Sequence, residues 1–321
     1  MIIMAKVSII VPVYGVEKLI ERCAVSLIEQ TYEDIEYIFV NDATQDKSIA
    51  ILTEVIKRYP QRAEQVRIVH HPVNKGLSAA RNTGLKHATG KYVWHVDSDD
   101  YVATNAVQDF VEIAEEQQAD VVICDINVVT YRGTRYEMVN YQGKEDYIRR
   151  LIQHTEKCAH WNKFYRKALL DATSIRSDEQ IRLAEDYAVT PRLLYCAEQV
   201  VMLHKALYYY ETRNQNSYVH NLSRAAIESH QRADAVLTKF FADKEEYADV
   251  LSVLPQRSMT TMIQNTNADG WKVVTEVYSV ALKRSGKGMT LVNRIIFSLT
   301  QKHSWLQLRI FMAIYHLIMR N

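Results

Sequence analysis

An α/β fold, with a mostly parallel sheet covered by helices, is predicted for the first hundred residues of this sequence. Three observations predict it: strand and helix patterns alternate as β-α-β-α-β-α-β, the first strand segment is almost continuously apolar, and polar residues follow the strand ends. Parallel strands need crossover connections, and the helices in those crossovers cover the faces of the sheet. Ligands of such sheets bind beyond the carboxyl ends of the strands.

Each predicted strand is a short apolar run. The four strands cover residues 7–13, 35–40, 66–70 and 92–96. The first has little polar and apolar alternation, which is typical of a strand buried on both faces. Polar residues occupy three loops at the carboxyl ends: Tyr14-Gly15, Asn41 to Asp46, and Asp97-Ser98-Asp99-Asp100. Because these ends meet at one edge of a parallel sheet, we expect the three loops to form a site.

Apolar residues at helical spacing predict a helix after each of the first three strands. These helices cover residues 17–30, 48–59 and 77–88, and Gly90 follows the third as its stop signal. A fourth helix is predicted at residues 104–117. Short β-like segments at 121–124, 128–131 and 136–139 then indicate a smaller mixed or antiparallel extension, and the residues from 222 onward are helical in pattern.

The composition indicates a globular protein, with 48% hydrophobic and 24% charged residues among 321. The net charge of +1 gives no argument for binding nucleic acid, so we expect no nucleic-acid partner. The four cysteines lie far apart, which is typical of small core residues in a reducing compartment. We find no signal peptide and no uncharged apolar run of ~18 residues, and we therefore expect a cytoplasmic protein without a transmembrane helix.

The last 45 residues differ in charge from the rest of the chain. Residues 277–321 contain seven Lys and Arg but no Asp or Glu, so this segment carries +7 and the remainder −6. Apolar and aromatic residues recur at helical spacing within it. A basic, acid-free amphipathic tail is predicted to lie on the anionic inner face of a membrane. The alternatives are a helical cap on the preceding domain or a dimer contact, which would make the protein a homo-oligomer.

Three carboxylates lie close together after the fourth strand, at Asp97, Asp99 and Asp100. Like charges this close repel each other unless a cation lies between them. Oxygen ligands without a nearby Cys or His cluster favour Mg²⁺ or Mn²⁺, which are often shared with the phosphates of a substrate. The motif therefore predicts a metal site, and the alternative is a solvated acidic turn that caps the next helix.

Four motifs taken together resemble those of the family 2 glycosyltransferases, which have the GT-A fold. Their order and spacing match over about residues 6–102, and a weaker match reaches residue 217. The motifs are Val7 to Tyr14, Val40 to Asp46, Asn74 to Gly84 and Asp97 to Asp100, followed by the weaker Trp161 to Tyr165, Glu185-Asp186, and Tyr208 to Tyr210 with Arg213 and Ser217.

The resemblance implies a nucleotide-sugar donor held by the first loops. Pro12 and Tyr14 would line the nucleoside pocket, and Asp42 would accept a hydrogen bond from the base, usually uracil. A turn cap is the alternative role for Asp42. The family's Asp-Asp-Gly-Ser run is altered here to Asn41-Asp42-Ala43-Thr44, and Ala43 matters only if this position needs a positive φ.

The resemblance also assigns the strand-end carboxylates and the helix beside them. Asp99 would be the direct metal ligand, Asp97 would contact the ribose or metal-bound water, and Asp100 completes the metal motif. The Mg²⁺ or Mn²⁺ would offset charge on the departing nucleoside diphosphate. Arg81 would contact a phosphate or the base, with a surface salt bridge as the alternative.

The weaker matches imply the remaining site residues. Asp186 would be the base that takes the acceptor hydroxyl proton, and Glu185 would orient it or contact a sugar hydroxyl. The alternative is two first-turn acids that favour a helix N-terminus. Arg213 and Ser217 would fold over the diphosphate, and Lys163 is a further phosphate contact. For these three residues, ordinary surface contacts are the alternative.

The implied domains are a GT-A catalytic domain at residues 1–220 and a helical region with a basic tail at 221–321. The nucleotide-sugar half would cover about 1–102 and the acceptor half about 103–220. Neither a Q-x-x-R-W motif nor a multi-span membrane domain is present, so we expect a non-processive enzyme.

The implied function is inverting, metal-dependent transfer from a UDP-sugar to a hydroxyl of a glycan acceptor. Given the basic tail, we expect a lipid-linked acceptor in cell-surface polysaccharide assembly. One alternative is a non-catalytic sugar-nucleotide-binding or scaffold protein on the same fold. Another is a nucleotidyltransferase, which would need a Gly-rich basic loop where Pro12 to Val16 stands.

Overall fold

A computed structural model describes residues 6–214, 223–283 and 289–319. The chain divides into two compact units. The first comprises Met1–Tyr147, Cys158–Glu179 and Val189–Asn216, and the second comprises Ile148–Lys157, Gln180–Ala188 and Ser217–Asn321. Two short inner segments that the sequence assigns to the catalytic domain therefore belong to the second unit.

The first unit contains a sheet of nine strands within the described ranges. They are β1 (Val7–Val13), β2 (Ile35–Asn41), β3 (Val66–His70), β4 (Tyr92–His95), β5 (Tyr101–Val102), β6 (Val121–Thr130), β7 (Gly133–Glu137), β8 (Lys163–Arg166) and β9 (Val200–Glu211). The order is β3-β2-β1-β4-β8-β6-β9-β5, and β7 pairs with β6. The four predicted strands form the parallel half of this sheet, and β8 joins it to the mixed extension through antiparallel pairs with β4 and β6.

Burial explains the apolar strands. All seven residues of β1 are buried, because β1 lies between β2 and β4 and is covered on both faces. The register pairs Val13 with Asn41 and Ile10 with His95. The carboxyl ends of β1, β2 and β4 therefore reach the same edge of the sheet, as the sequence predicts.

The helices of the first half bury one face each. They are α1 (Ile20–Ile28), α2 (Ser48–Arg58), α3 (Leu77–His87) and α4 (Ala106–Glu116), and α5 (Lys144–Ile152), α6 (Lys167–Thr173) and α7 (Glu185–Cys196) follow. In α1 the buried residues recur at three- and four-residue spacing from Ile20 to Ile28, which is the pattern that predicted it. Residues 17–19, included in that prediction, lie before the helix.

The second unit is helical, as predicted. Its helices beyond residue 222 are α8 (Arg224–Phe241), α9 (Ala248–Ser252), α10 (Leu254–Gln264), α11 (Ala268–Val277), α12 (Ser279–Leu282), α13 (Leu291–Gln301) and α14 (Trp305–Met319). Met259 and Trp271 pack in a core with Ile296 from α13 and Leu308 from α14. One side of the basic tail is therefore part of this core. No helix within the described ranges is long and apolar enough to cross a bilayer.

Candidate functional site

The loops after β1 and β2 are fastened to each other at the carboxyl edge of the sheet. The Gly15 backbone N–H donates to Thr44 Oγ1 at 2.9 Å, and the Glu17 N–H donates to Asp46 Oδ2 at 2.9 Å. Tyr14 is 47% exposed beside these contacts, whereas Pro12 is buried within β1. An aromatic ring is thus offered to solvent at the place where the nucleoside is expected.

Asp42 is buried and holds the start of α3. Its Oδ1 accepts from the Lys75 N–H at 2.8 Å and lies 2.7 Å from His71 Nδ1, and its Oδ2 accepts from the Gly76 N–H at 2.8 Å. The carboxylate therefore organises the loop that leads into α3. Its contact with a base remains a prediction from the resemblance.

Ala43 has a φ of +56°, in the left-handed region that favours glycine. This is the condition under which the change from the family's glycine matters. The loop after β2 therefore keeps a glycine-like backbone shape at some cost in strain.

Asp97 is held by a buried arginine. Arg81 Nη2, on α3, donates to Asp97 Oδ1 at 3.0 Å, and the Arg81 side chain is 2% exposed while that of Asp97 is 26% exposed. The Asp97 backbone N–H donates to the Tyr208 hydroxyl at 3.1 Å. Arg81 thus contacts the strand-end carboxylate, and a phosphate or base contact is an additional role that stays a prediction.

Asp99 lies beside the end of β9. Its Oδ2 accepts from Asn214 Nδ2 at 2.8 Å, and its backbone carbonyl accepts from Arg22 Nη2 at 3.1 Å. Burial raises the pKa of Asp99, and the nearby Glu211 charge raises it further. A cation at this carboxylate would offset both effects.

Asp100 differs from its two neighbours because β9 encloses it. Its Oδ2 accepts from the Tyr208 hydroxyl at 2.6 Å and its Oδ1 from the Glu211 N–H at 2.7 Å, and the residue is 1% exposed. Burial raises its pKa well above the usual range, with contributions from the Asp99 and Asp97 charges. These contacts bind the strand-end loop to β9, so the metal centre proposed below omits Asp100.

Glu211 and Arg22 contact the strand-end loop, and the sequence reasoning did not identify them. Glu211 is buried at the end of β9, and its carboxylate accepts from Arg213 Nε at 2.7 Å and from Arg22 Nη2 at 3.0 Å. Hydrogen bonds from Arg213 lower the pKa of Glu211 to about 2. Arg213, predicted to contact a diphosphate, is thus paired with an acid. The signal available in the sequence was an acid at the end of the tyrosine run.

Asp97 and Asp99 fit a divalent cation by their chemistry. Both offer carboxylate oxygens, both are partly exposed, and burial already disfavours the charged form of Asp99. No group of three or more His, Cys, Asp and Glu side chains that could hold a metal by themselves occurs in the part of the chain that the structure describes. A cation here would therefore bind these two carboxylates. The phosphate oxygens of a nucleotide-sugar would supply further ligands.

Lys163 lies in the interior, contrary to the expectation of a phosphate contact. Its side chain is fully buried, and its ammonium donates to the Ala159 carbonyl and to Asn162 Oδ1, both at 2.7 Å. An ammonium enclosed in this way cannot reach a phosphate at an open edge, so we leave Lys163 out of the site.

Glu185 and Asp186 form the first turn of α7, as predicted. Glu185 is 7% exposed and Asp186 is half-buried, and both belong to the second unit. Ala184, which precedes them, has a φ of +69°. Ser217 lies outside the described residues.

Comparison with known proteins points to one family. The model of glycosyl transferase family 2 matches residues 8–173. The Bacillus subtilis protein EpsJ, an uncharacterized glycosyltransferase, is 38% identical over 70% of this chain and 66% of its own length. The poly(ribitol-phosphate) beta-glucosyltransferase of Bacillus spizizenii is 31% identical over 67% of this chain. The chain spans only a third of that relative.

Solved structures share the fold. Staphylococcus aureus TarS 1–349 in complex with UDP-GlcNAc has a TM-score of 0.67 at 22% identity, covering 97% of this chain and 92% of TarS 1–349. The mannosyltransferase PcManGT from Pyrobaculum calidifontis, in complex with GDP-Man and Mn²⁺, has a TM-score of 0.57 at 16% identity, covering 96% and 85%. The predicted GT-A α/β fold is confirmed by these likenesses.

Proposed function

Because the chain belongs to glycosyl transferase family 2, as its motifs predicted, we propose that it transfers a sugar from a UDP-sugar to a hydroxyl group of a glycan acceptor, with inversion. The observation that carries the proposal is the meeting of Asp97 and Asp99 with the loops after β1 and β2 at one sheet edge. A donor bound there could meet Tyr14 with its nucleoside and the two carboxylates with its diphosphate.

In this proposal Asp99 and Asp97 hold Mg²⁺ or Mn²⁺. When bound, the ion supplies electrophilic assistance to the departing nucleoside diphosphate. The buried guanidinium of Arg81 orients the Asp97 carboxylate through the 3.0 Å contact. Arg213 could exchange its Glu211 partner for a donor phosphate, because its side chain is 38% exposed.

Asp186 is proposed as the general base and Glu185 as its neighbour that orients the acceptor. The base takes the proton of the acceptor hydroxyl while that oxygen bonds to the anomeric carbon and the bond to the diphosphate breaks. One displacement of this kind inverts the anomeric centre. The half-buried position of Asp186 in the first turn of α7 is compatible with this role.

The relatives' names support a proposal for the donor and acceptor classes. One neighbour was solved with UDP-GlcNAc, and relatives are named for transferring glucose or N-acetylglucosamine to poly(ribitol-phosphate). We therefore propose UDP-glucose or UDP-N-acetylglucosamine as the donor. A lipid-linked glycan or polyol phosphate of cell-surface polymer assembly is the proposed acceptor.

Titration calorimetry of UDP with and without Mn²⁺ tests the donor site. We expect Mn²⁺ to strengthen UDP binding by the parent, and Asp99→Asn and Asp97→Asn to lose this gain while remaining folded. Asp171→Asn is the matched control, because its exposed carboxylate pairs only with Lys167 among the described contacts. Binding of UDP that is independent of metal in the parent would reject the metal site.

Hydrolysis of a donor panel tests the reaction itself. UDP-glucose, UDP-N-acetylglucosamine, UDP-galactose and GDP-mannose are compared with Mn²⁺ present. Turnover of one UDP-sugar supports the proposal. Tight UDP binding without turnover of any donor would favour the alternative, a non-catalytic sugar-nucleotide-binding protein.

The tail is proposed to contact the cytoplasmic face of an anionic membrane. The outward side of α14 exposes Leu306, Ile310 and Ile314, and Arg309 and Lys302 are exposed near them in the sequence. Apolar side chains beside cations without acids suit a phospholipid surface. This contact would bring the site to a lipid-linked acceptor.

A further inference from the structure

We infer that Ser229, on α8, is a positioning residue that fixes the backbone leading into Glu185 and Asp186. The inference rests on the proposed role of that acidic pair, and it adds a residue 43 positions beyond Asp186 that no sequence motif indicates. Ser229 acts through the backbone of residues 182 and 183 and is not itself a catalytic residue.

The Ser229 hydroxyl binds three backbone groups of two consecutive residues. Its Oγ accepts from the Arg182 N–H at 2.7 Å and from the Leu183 N–H at 3.1 Å, and it donates to the Leu183 carbonyl at 3.2 Å. Ser229 is 3% exposed, so its hydroxyl reaches these groups from the buried side. Without the hydroxyl, these backbone groups would lose that partner in a partly buried place.

The residue that follows the bound backbone is strained. Ala184 has a φ of +69°, and its carbonyl then accepts the first helical bond of α7, from the Ala188 N–H at 3.0 Å. A non-glycine residue stays in this conformation only where its surroundings determine it. The Ser229 contacts lie directly before this point, so they are well placed to keep Ala184 in its turn and to set where α7 begins.

Tyr187 fixes the other side of the acidic pair. Its ring centroid lies 4.4 Å from that of His154 and 5.4 Å from that of His230, and its hydroxyl donates to the Ile152 carbonyl at 3.1 Å. Burial lowers the pKa of His230 to about 4 and that of His154 well below its usual range, so both rings are neutral near pH 7. Ring packing and the hydroxyl hydrogen bond therefore hold Tyr187 without a charged partner ring, and the acidic pair lies between two anchored points.

Anchoring matters because general-base catalysis depends on the placement of the carboxylate. A misplacement of about 1 Å can lower a rate by as much as ~10²-fold without weakening substrate binding. Loss of the Ser229 contacts frees one of the two anchors. The loss should therefore appear in kcat for the donor rather than in its KM.

The test compares Ser229→Ala with Asn267→Ala. The Asn267 side chain accepts from the Gly270 N–H at 3.0 Å and caps α11 of the same unit, so its loss lowers stability without touching residues 182–187. The readouts are thermal unfolding, UDP affinity, and kcat and KM for UDP-N-acetylglucosamine or UDP-glucose, whichever the panel shows to turn over.

We expect Ser229→Ala to lower kcat by about 10-fold or more with KM and UDP affinity within about twofold of the parent. Asn267→Ala should keep the parent kcat.

Asp186→Asn separates failure of this inference from failure of the proposed base. Parent-like kcat in Asp186→Asn would overturn the base and the inference together. An inactive Asp186→Asn with parent-like kcat in Ser229→Ala would overturn the Ser229 inference alone, as would an equal loss of kcat in Asn267→Ala. If Ser229→Ala does not fold, Ser229→Cys replaces it, because a thiol fills the space but accepts hydrogen bonds weakly, and the same outcomes decide.

Discussion

Asp97, Asp99 and Asp100 follow a single strand but meet three different environments. A buried arginine faces Asp97, the Asn214 amide faces Asp99, and a hydroxyl and a backbone N–H from β9 enclose Asp100. The three carboxyl groups therefore have different partners, and burial raises the pKa of Asp99 and of Asp100. Burial and the two neighbouring charges raise the pKa of Asp100, so it favours a role in packing over ligation.

Substitution of Asp100 should affect stability first. Asp100→Ala leaves the buried Tyr208 hydroxyl and the Glu211 N–H without that acceptor, which we expect to lower the free energy of unfolding by about 1–3 kcal/mol. Asp99→Ala should cost less, because Asp99 is partly exposed, but should abolish the gain in UDP affinity from Mn²⁺. Urea unfolding followed by circular dichroism, together with calorimetry, measures both. Equal stability of the two variants would contradict this division of roles.

Local motifs in the sequence identified the acidic residues of the candidate site but not the side chains that contact them. Asp97 and Asp99 could be proposed because a strand pattern directly precedes them. Glu211 and Asn214 could not be proposed, because they lie more than one hundred residues further along the chain. The pairing of β5 with β9 brings them close to the strand-end loop. Lys163 is the opposite case: its motif predicted a charged contact at the site, but its side chain is buried in the interior.

At the scale of elements, α3 owes its position to a glycine. A Cβ added at Gly84 would lie 2.2 Å from Ile10 Cγ2 on β1, so α3 packs more closely on the sheet than an alanine would allow. The close approach of α3 to β1 therefore requires a glycine at position 84. The same helix carries Arg81. The distance of α3 from the sheet therefore affects the contact between Arg81 and Asp97.

Gly84→Ala should lower the free energy of unfolding by roughly 1–3 kcal/mol, because the added methyl overpacks the helix against β1. Ile10→Leu removes the branch at Cβ and should recover part of this loss in the double variant, although alone it costs less than about 1.5 kcal/mol. Urea unfolding of the two single variants and the double variant completes the cycle. Additive losses would show that Gly84 and Ile10 do not compete for this space.

The α8 helix carries a buried acid whose ionisation opposes folding. Asp234 accepts from Ser258 Oγ at 2.7 Å and from the Tyr278 hydroxyl at 3.1 Å, and burial raises its pKa to about 8. The unfolded chain releases this proton near pH 4. Between these values the folded state binds more protons, so stability from this group is complete at low pH and is lost as the pH rises toward 8.

Asp234→Asn should remove this pH dependence, because its amide cannot ionise. Relative to the parent, we expect the variant to gain up to ~2 kcal/mol of unfolding free energy between pH 6.5 and 8. His154 and His230 do not contribute to this pH dependence, because burial lowers their pKa values below this pH range. Asp249→Asn is the control, since hydrogen bonding from Arg149 lowers the pKa of Asp249 and its effect lies at acid pH. A constant difference between variant and parent across the window would contradict the assignment.

Elements with local periodicity were predicted well, and those that depend on distant pairing were not. The parallel strands and their helices carry apolar repeats that a single segment reveals. The two-residue strand β5 exists because Tyr101 and Val102 pair with β9, and no pattern within two residues could indicate it.

At the scale of the whole molecule, division into two units follows contacts that sequence order hides. Residues 148–157 and 180–188 lie between segments of the first unit along the chain but belong to the helical unit. His154 reaches Ser258 at 3.1 Å and Ser229 reaches Arg182 at 2.7 Å, which shows what attaches these segments to α10 and α8. The proposed base therefore folds with the second unit rather than with the nine-stranded sheet.

Membrane binding by the tail must be tested without truncation. Removing residues 290–321 would delete Ile296, Phe297, Leu308 and Met312 from the core of the second unit, and the remainder would not test an isolated surface. Substitutions confined to the outward side of α14 avoid this. Leu306, Ile310 and Ile314 are 73%, 54% and 54% exposed, at spacings of four residues, so they form one ridge along the helix.

Flotation with phosphatidylglycerol vesicles then decides what the ridge contacts. The parent should float at low salt and less in high salt, since each cation near an anionic surface contributes about 1 kcal/mol. Replacing Leu306, Ile310 and Ile314 by Gln should abolish flotation with unfolding unchanged. Val73→Gln is the control, because Val73 is 61% exposed on the first unit and should not affect binding.

If the parent stays at the bottom of the gradient at low salt, and sedimentation shows a dimer that the triple variant loses, the ridge contacts a second copy of the chain. The proposal of a lipid-linked acceptor would then lose the support of the tail.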